Sequence, residues 1–205
     1  MPLFARRMFV SLMLVGSLVG AGQAAPGNLS AQALIEGLGD DVITVLADKS
    51  LDHARREPRF RELLQSSFDA ETTGRVVLGR YWNLATARER QTFLPLYRDY
   101  LIRIYSSRFA RFSGEKFVVR GTRTEAYGDT VVQSEIQPPA AGGPTYSVNW
   151  RVRKEGNTYR IVDVVIDGVS LLVTHNQEFS SIIQNGGGKV QALIDALQAR
   201  AGRAN

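Results

Sequence analysis

Asp163 and Asp167 are the residues best placed to do chemistry in this chain of 205 residues. A carboxylate set among Val162, Val164 and Val165 is shielded from water, so Asp163 could serve as the general base of an isomerase-type proton transfer. The structural alternative is that Asp167 caps the helix that follows, where the helix dipole favours an anion, and that Asp163 accepts hydrogen bonds from arginines or backbone. His53 and His175 lie far apart, have no further ligand at metal spacing and read as surface residues, which argues against zinc or copper. Gly186-Gly187-Gly188-Lys189 follows a helix rather than a strand, and Val190 stands where a phosphate loop needs Ser or Thr. It reads as a helix stop and turn. No Gly-x-Ser-x-Gly elbow is present, and the absence of cysteine excludes both thiolate chemistry and disulfides.

Composition is that of ordinary globular protein, with 44% hydrophobic and 22% charged residues. Arg6 and Arg7 precede an uncharged run from Met8 to Ala21, and small residues follow, which is the plan of a secretory signal peptide cleaved after Ala24. The run of about 14 residues is short of the roughly 20 that span a bilayer. The chain therefore divides into a signal peptide, residues 1–24, and a single domain, residues 25–205. Four lysines leave 21 arginines among the 25 basic residues, scattered rather than striped, and export makes nucleic acid an implausible partner.

The elements that would position Asp163 form two groups. Ser30 caps a helix carrying Leu34, Leu38, Val42, Val45 and Leu46, weakened by Gly37 and Gly39. A polar run from Asp48 to Pro58 precedes a short helix with Phe60, Leu63, Leu64 and Phe68 on one side. Another helix is expected over residues 72–83. Thr86 and Glu89 have the form of a capping box opening the longest helix, which carries Phe93, Leu96, Tyr97, Tyr100, Leu101, Ile104, Tyr105 and Phe109, with a kink expected at Pro95. The period then changes from 3.6 to 2. Strands are expected over residues 116–124, 130–137 and 145–153, and the fourth runs from Tyr159 through Ile166 into the Asp167-Gly168 turn. Ser170 stands at the N-cap of the helix after it, and a last helix spans residues 190–198. This order is α+β: a four-stranded antiparallel curved sheet covered by a helical layer. From the residues alone the chain is an exported domain with an apolar interior face, either an enzyme using Asp163 or an interaction module with a solid core.

Two segments resemble a known family. The first is Val77-Leu78-Gly79-Arg80-Tyr81-Trp82 through Ala85-Thr86 to Arg90, then Phe93, Tyr97, Tyr100 and Leu101. The second is Tyr159, Asp163 and Asp167-Gly168-Val169-Ser170-Leu171, then Glu178-Phe179, Ile182 and Gly186-Gly187. Together, over roughly residues 29 to 198, they resemble MlaC, the periplasmic phospholipid-binding component of the lipid-asymmetry ABC transport system, also called the toluene-tolerance or ABC transporter auxiliary component family. Pro95, His175-Asn176 and the turn from Pro138 to Pro144 depart from the pattern. A hopanoid-associated branch, HpnM, looks similar, so a hopanoid carrier of the same fold is the alternative cargo reading.

The resemblance implies a periplasmic carrier without catalysis or cofactor, holding phospholipid as cargo in an apolar cavity between helices and sheet. Its implied partners are an inner-membrane ABC transporter with a membrane-anchored substrate-binding subunit, and an outer-membrane lipoprotein complex. A buried methylene contributes about 0.8 kcal/mol, so an acyl chain of about 16 carbons needs roughly 13 kcal/mol of apolar cover to leave a bilayer. The lipid is expected on the dry face of the meander, against Tyr146, Val148, Trp150 and Val152. Leu78, Tyr81, Tyr97, Leu101 and Tyr105 would supply the facing stripe, with Val169 and Leu172 closing one end.

Overall fold

The computed structural model describes residues 30–202 except 49, 110, 111 and 141, so the expected signal peptide lies outside the described residues. Ser30 opens α1 (Ala31–Ala47), its hydroxyl accepting a bond from the Ala33 N–H at 3.0 Å. The alternating second half forms β1 (Lys116–Thr124), β2 (Thr130–Gln137), β3 (Tyr146–Glu155) and β4 (Thr158–Ile166). All pair antiparallel in chain order, with a two-residue β5 (Val169–Ser170) folding back on β4 as a fifth strand beyond the expected four. Register puts Val132 opposite Trp150, Trp150 opposite Val164, and Val152 opposite Ile161, so one face is dry. Ser134 is the polar exception on that face. Its hydroxyl donates to the Val148 carbonyl and accepts from the Trp150 indole, both at 2.9 Å, so no polar group is stranded there.

The helix that covers this face is α1, not the aromatic stripe expected from the longest helix. Ala31 and Ile35 are buried against Val132, Val148, Val152, Ile161 and Val164, with Leu34 and Leu38 alongside. Gly39, expected to weaken α1, permits its approach: a Cβ there would lie 2.3 Å from the Phe117 ring of β1. Burying Ile35 completely is worth about 1.5–3 kcal/mol.

The remaining helices pack mainly on one another. α2 (His53–Ser67) begins five residues earlier than Pro58 suggests, because the Asp52 carboxylate accepts from the Arg55 N–H at 2.9 Å. A cap contributes about 1 kcal/mol against about 3 for an interior proline. Phe60 and Leu64, buried against Ile102, supply the rest. The single helix expected over residues 72–83 is divided into α3 (Ala70–Leu78) and α4 (Arg80–Leu84) by Gly79, whose φ is +50°. There the Asn176 amide donates to the Val77 carbonyl at 2.9 Å and satisfies the end of α3. The expected capping box opens α5 (Ala87–Phe109): the Thr86 N–H donates to Glu89 at 2.8 Å and the Glu89 N–H to Thr86 at 3.2 Å.

α5 is buried on two sides, with Phe93, Tyr97 and Leu101 in the bundle and Ile102 against α2. It packs with α6 (Leu171–Asn185) and α7 (Val190–Gly202) around Phe179, which meets Phe93 and Tyr97 edge-on at 6.1 and 5.9 Å. His175, expected at the surface, is only 5% exposed and stacks on Phe179 at 6.0 Å, also meeting Tyr97 and Tyr100 edge-on. A histidine on a helix face otherwise made of aromatics is a ring like the others, and packing decides its place. The Gly186–Gly188 stop turns α6 into α7 as expected, with the Gly188 N–H on the Ile183 carbonyl at 2.8 Å.

Sheet and bundle are joined at Asp163, itself 5% exposed. Its carboxylate accepts from the Val164 N–H at 2.8 Å, the Ser170 hydroxyl at 2.7 Å and the Leu172 N–H at 3.2 Å. Ser170 is the N-cap of α6, accepting from the Val173 N–H at 3.2 Å. The two expected roles are thus redistributed. Asp163 is the anion at the helix start, while Asp167 turns at φ +48° and pairs with Ser147 of β3 through both its N–H and its carboxylate, each at 2.9 Å. Asp163→Asn is expected to lower the unfolding free energy by about 1–2 kcal/mol, measured by urea titration, through loss of charge at a helix N-terminus and of one acceptor. Unchanged stability would contradict this role.

Glu178 ties three helices, accepting from the Tyr100 hydroxyl and the Arg200 guanidinium at 2.7 Å each. Burial pushes its carboxyl up, but these hydrogen bonds outweigh burial and hold it below the usual carboxylate range. A group depressed in the folded state stabilises above its unfolded pKa and loses that contribution as pH falls through the folded value. The melting temperature of Glu178→Gln should therefore lie below that of the unsubstituted protein at pH 7, with the gap closing as the medium is acidified. A gap that stays constant down to pH 3 would refute the assignment.

Candidate functional site

The end of α2 and the start of α3 line one side of a cavity of about 320 Å³. Leu64, Gln65, Phe68, Asp69, Ala70 and Glu71 form that side, Arg98 and Leu101 of α5 a second, and Glu155 and Arg160 of the β3–β4 hairpin the third. The local backbone explains the opening. Phe68 ends α2 in an extended conformation and bridges Ile161 of β4 in parallel, and the Asp69 N–H donates to the Ile161 carbonyl at 3.1 Å. The Asp69 carboxylate then caps α3, accepting from Glu71 and Thr72 N–H groups at 3.1 and 2.9 Å. Arg160 donates to the Ser66 carbonyl. The helix pair is thereby pinned to β4 at its corner, and the space beside that corner is left unfilled.

The cavity lies where the apolar clusters meet. Phe68 packs both with the α1 and sheet cluster and with Phe60, Leu64 and Ile102, and Tyr105 joins that second group to the helical bundle. Its floor is apolar, since Leu64 and Leu101 are 8% and 7% exposed. Its rim is charged, with Asp69, Glu71 and Glu155 against Arg98 and Arg160. Burial raises the Glu155 carboxyl, and its hydrogen bond with Asp69 raises it further. Burial acts on Asp69 in the same direction, but bonds from Thr72 and Glu155 carry it below its ordinary value. An apolar floor under a charged rim suits an amphiphile. Among the described residues no three His, Cys, Asp or Glu side chains gather as metal ligands, and no described helix is long and apolar enough to cross a membrane.

The residues expected to line the site are distributed differently. Leu78, Tyr81, Tyr97 and Leu101 are buried in the helical bundle, with Tyr105 and Leu172 packed against it. Val148 and Val152 are buried under α1, with Trp150 beside them. The two sets fall in separate clusters of buried residues. Tyr146 and Val169 are 46% and 59% exposed. Leu101 alone of the set lines the described cavity. Leu64 and Phe68 were legible as one apolar helix side, whereas Asp69, the N-cap of α3, lies before the helix expected over residues 72–83. Arg98, Glu155 and Arg160 look like ordinary surface charges until the fold brings them to one rim.

Residues 36–199 match the MlaC protein family. The fold is also that of a solved phospholipid-binding protein from Ralstonia solanacearum, in complex with a phospholipid, at 26% sequence identity and a TM-score of 0.72. The similarity covers 85% of this chain and 98% of that one. With the family matched over most of its length and the same α+β architecture, the chain belongs to the MlaC family.

Proposed function

We propose that the protein is a periplasmic phospholipid carrier, exported by a signal peptide over residues 1–24, that moves lipid between the outer membrane and an inner-membrane ABC transporter. The observation that carries the proposal is the apolar-floored, charge-rimmed cavity at the seam of three apolar clusters, in a fold shared with a protein solved with phospholipid bound. The head group stays at the charged rim and the acyl chains enter between Leu64, Phe68 and Leu101. No group needs to react, and Asp163, the candidate base, has its hydrogen bonds committed to the joint between β4 and α6.

Size argues for a cavity that grows on loading. At about 25 cal/mol per Å², the roughly 13 kcal/mol for one chain of about 16 carbons corresponds to about 500 Å² of apolar surface. A volume of 320 Å³ is at the lower end of the 300–1,000 Å³ typical of small-molecule pockets. Two chains therefore require the clusters to part along the Phe68 and Tyr105 contacts, the residues that the clusters share.

Native mass spectrometry of protein taken from the periplasm should show stoichiometric diacyl lipid. Ala70 is a small, half-buried residue on the cavity wall, so Ala70→Trp should cut lipid occupancy severalfold while shifting stability by no more than about 0.5 kcal/mol. Protein that emerges empty, or an Ala70→Trp variant that loads normally, would overturn this placement.

A further inference from the structure

We propose that the cavity rim selects a zwitterionic phosphate ester, a lipid head carrying a phosphate and a primary ammonium. Arg98 would hold the phosphate, and the Asp69, Glu71 and Glu155 carboxyls would receive the ammonium. The inference rests on reading the cavity as a phospholipid site, and it adds the class of head group.

Three carboxyls and two guanidiniums surround the opening, so the rim offers charge of both signs within one cavity. The cations are not equivalent. Arg160 is committed to the Ser66 carbonyl, whereas Arg98 is half-buried and has no hydrogen-bonded or ion-paired partner among the described residues. A desolvated guanidinium without a counter-ion is unfavourable, and its planar fork matches two phosphate oxygens. A phosphate at the opening supplies what Arg98 lacks.

The carboxyls point to the other half of the head. Asp69 and Glu155 line the same cavity from the start of α3 and from the β3–β4 hairpin, and burial with the Asp69 charge pushes the Glu155 carboxyl up. Neighbouring carboxylates repel one another and favour a positive charge between them. A primary ammonium brings the same positive charge with three N–H donors, enough for both carboxyls and for Glu71, which is exposed in the first turn of α3. A purely anionic head would satisfy Arg98 but face three acids. A quaternary ammonium has no N–H to give and is bound by aromatic cages, while Phe68 is the one aromatic residue lining this cavity. The rim therefore fits phosphoethanolamine better than phosphoglycerol or phosphocholine.

Delipidated full-length mature protein is incubated with vesicles of phosphatidylethanolamine, phosphatidylglycerol and phosphatidylcholine in equal amounts with identical chains, and the lipid taken up is identified by native mass spectrometry. Uptake of the ethanolamine lipid is expected to exceed that of each competitor about five-fold, the scale of partly exposed charge pairs. Arg98→Gln lowers loading of all three. Glu71→Gln with Glu155→Gln abolishes the preference, read as the ratio of the three lipids taken up, and thermal melting confirms that both variants are folded. Uptake in proportion to vesicle composition, or a preference that survives the double substitution, overturns the head-group assignment alone. Absence of any diacyl lipid overturns the carrier reading and this inference with it. If water-soluble phosphoethanolamine competes as well as the lipid does, the site is one for the free ester and the assignment to a lipid head fails.

Discussion

One strand, β4, holds the two halves of the molecule together, and it does so by two short polar ties. At Ile161 its carbonyl accepts the Asp69 N–H, fixing the corner between α2 and α3. Two residues on, the Asp163 carboxylate takes the Ser170 hydroxyl and the Leu172 N–H, fixing the start of α6. Between these ties the chain bulges, since Arg151 pairs with Asp163 and Val152 with Ile161, so that Val162 is the extra residue. The bulge lets Ile161 stay on the dry face beneath α1 while Asp163 turns toward the helices. Without it, the residue at 163 would share the face of Ile161, and a carboxylate would be aimed at Ile35 and Val152.

This arrangement gives a molecule in two apolar bodies rather than one. α1 closes the sheet, and α3 to α7 close around Phe179. A third, smaller cluster of Phe60, Leu64 and Ile102 lies between them, joined through Phe68 and Tyr105, and the cavity opens beside it. Within the helical body Tyr97, Phe93, Phe179 and Leu193 are shielded from solvent. Burial also pushes the Tyr97 phenol well above its ordinary value, and the Tyr100 phenol likewise, with the Glu178 hydrogen bond adding to burial. Each body keeps its own buried interior, which is what a carrier needs if loading is to part them without unfolding either.

Local chemistry was readable from the residues wherever a short-range rule decides the outcome. Ser30, Ser170 and the Thr86 and Glu89 pair cap the helices expected of them, and the period-2 segments are strands with the anticipated turns. Which face meets which was not readable. A helical stripe such as Tyr97 and Leu101 announces that it will be buried, but nothing in its spacing distinguishes a sheet from another helix as the partner. For the same reason the dry side of β3 looked ready for α5 and received α1. Pro58 lies inside a helix and His175 inside the core because packing of Phe60 and Leu64 on Ile102, and of His175 on Phe179, outweighs local preference. The rim of the cavity draws on residues from 69 to 160, and no pattern in the chain links charges that distant.

The account stands on the claim that ligand enters at the junction beside β4, not within either apolar body. Hydrogen exchange compared between lipid-free and phospholipid-loaded protein tests it most directly, because exchange reports local opening segment by segment. Added protection is predicted for residues 64–71, 98–101 and 155–161, with α1 and α7 changed little. Protection confined to α6 and α7, with residues 64–71 exchanging as fast as in the empty protein, would contradict it.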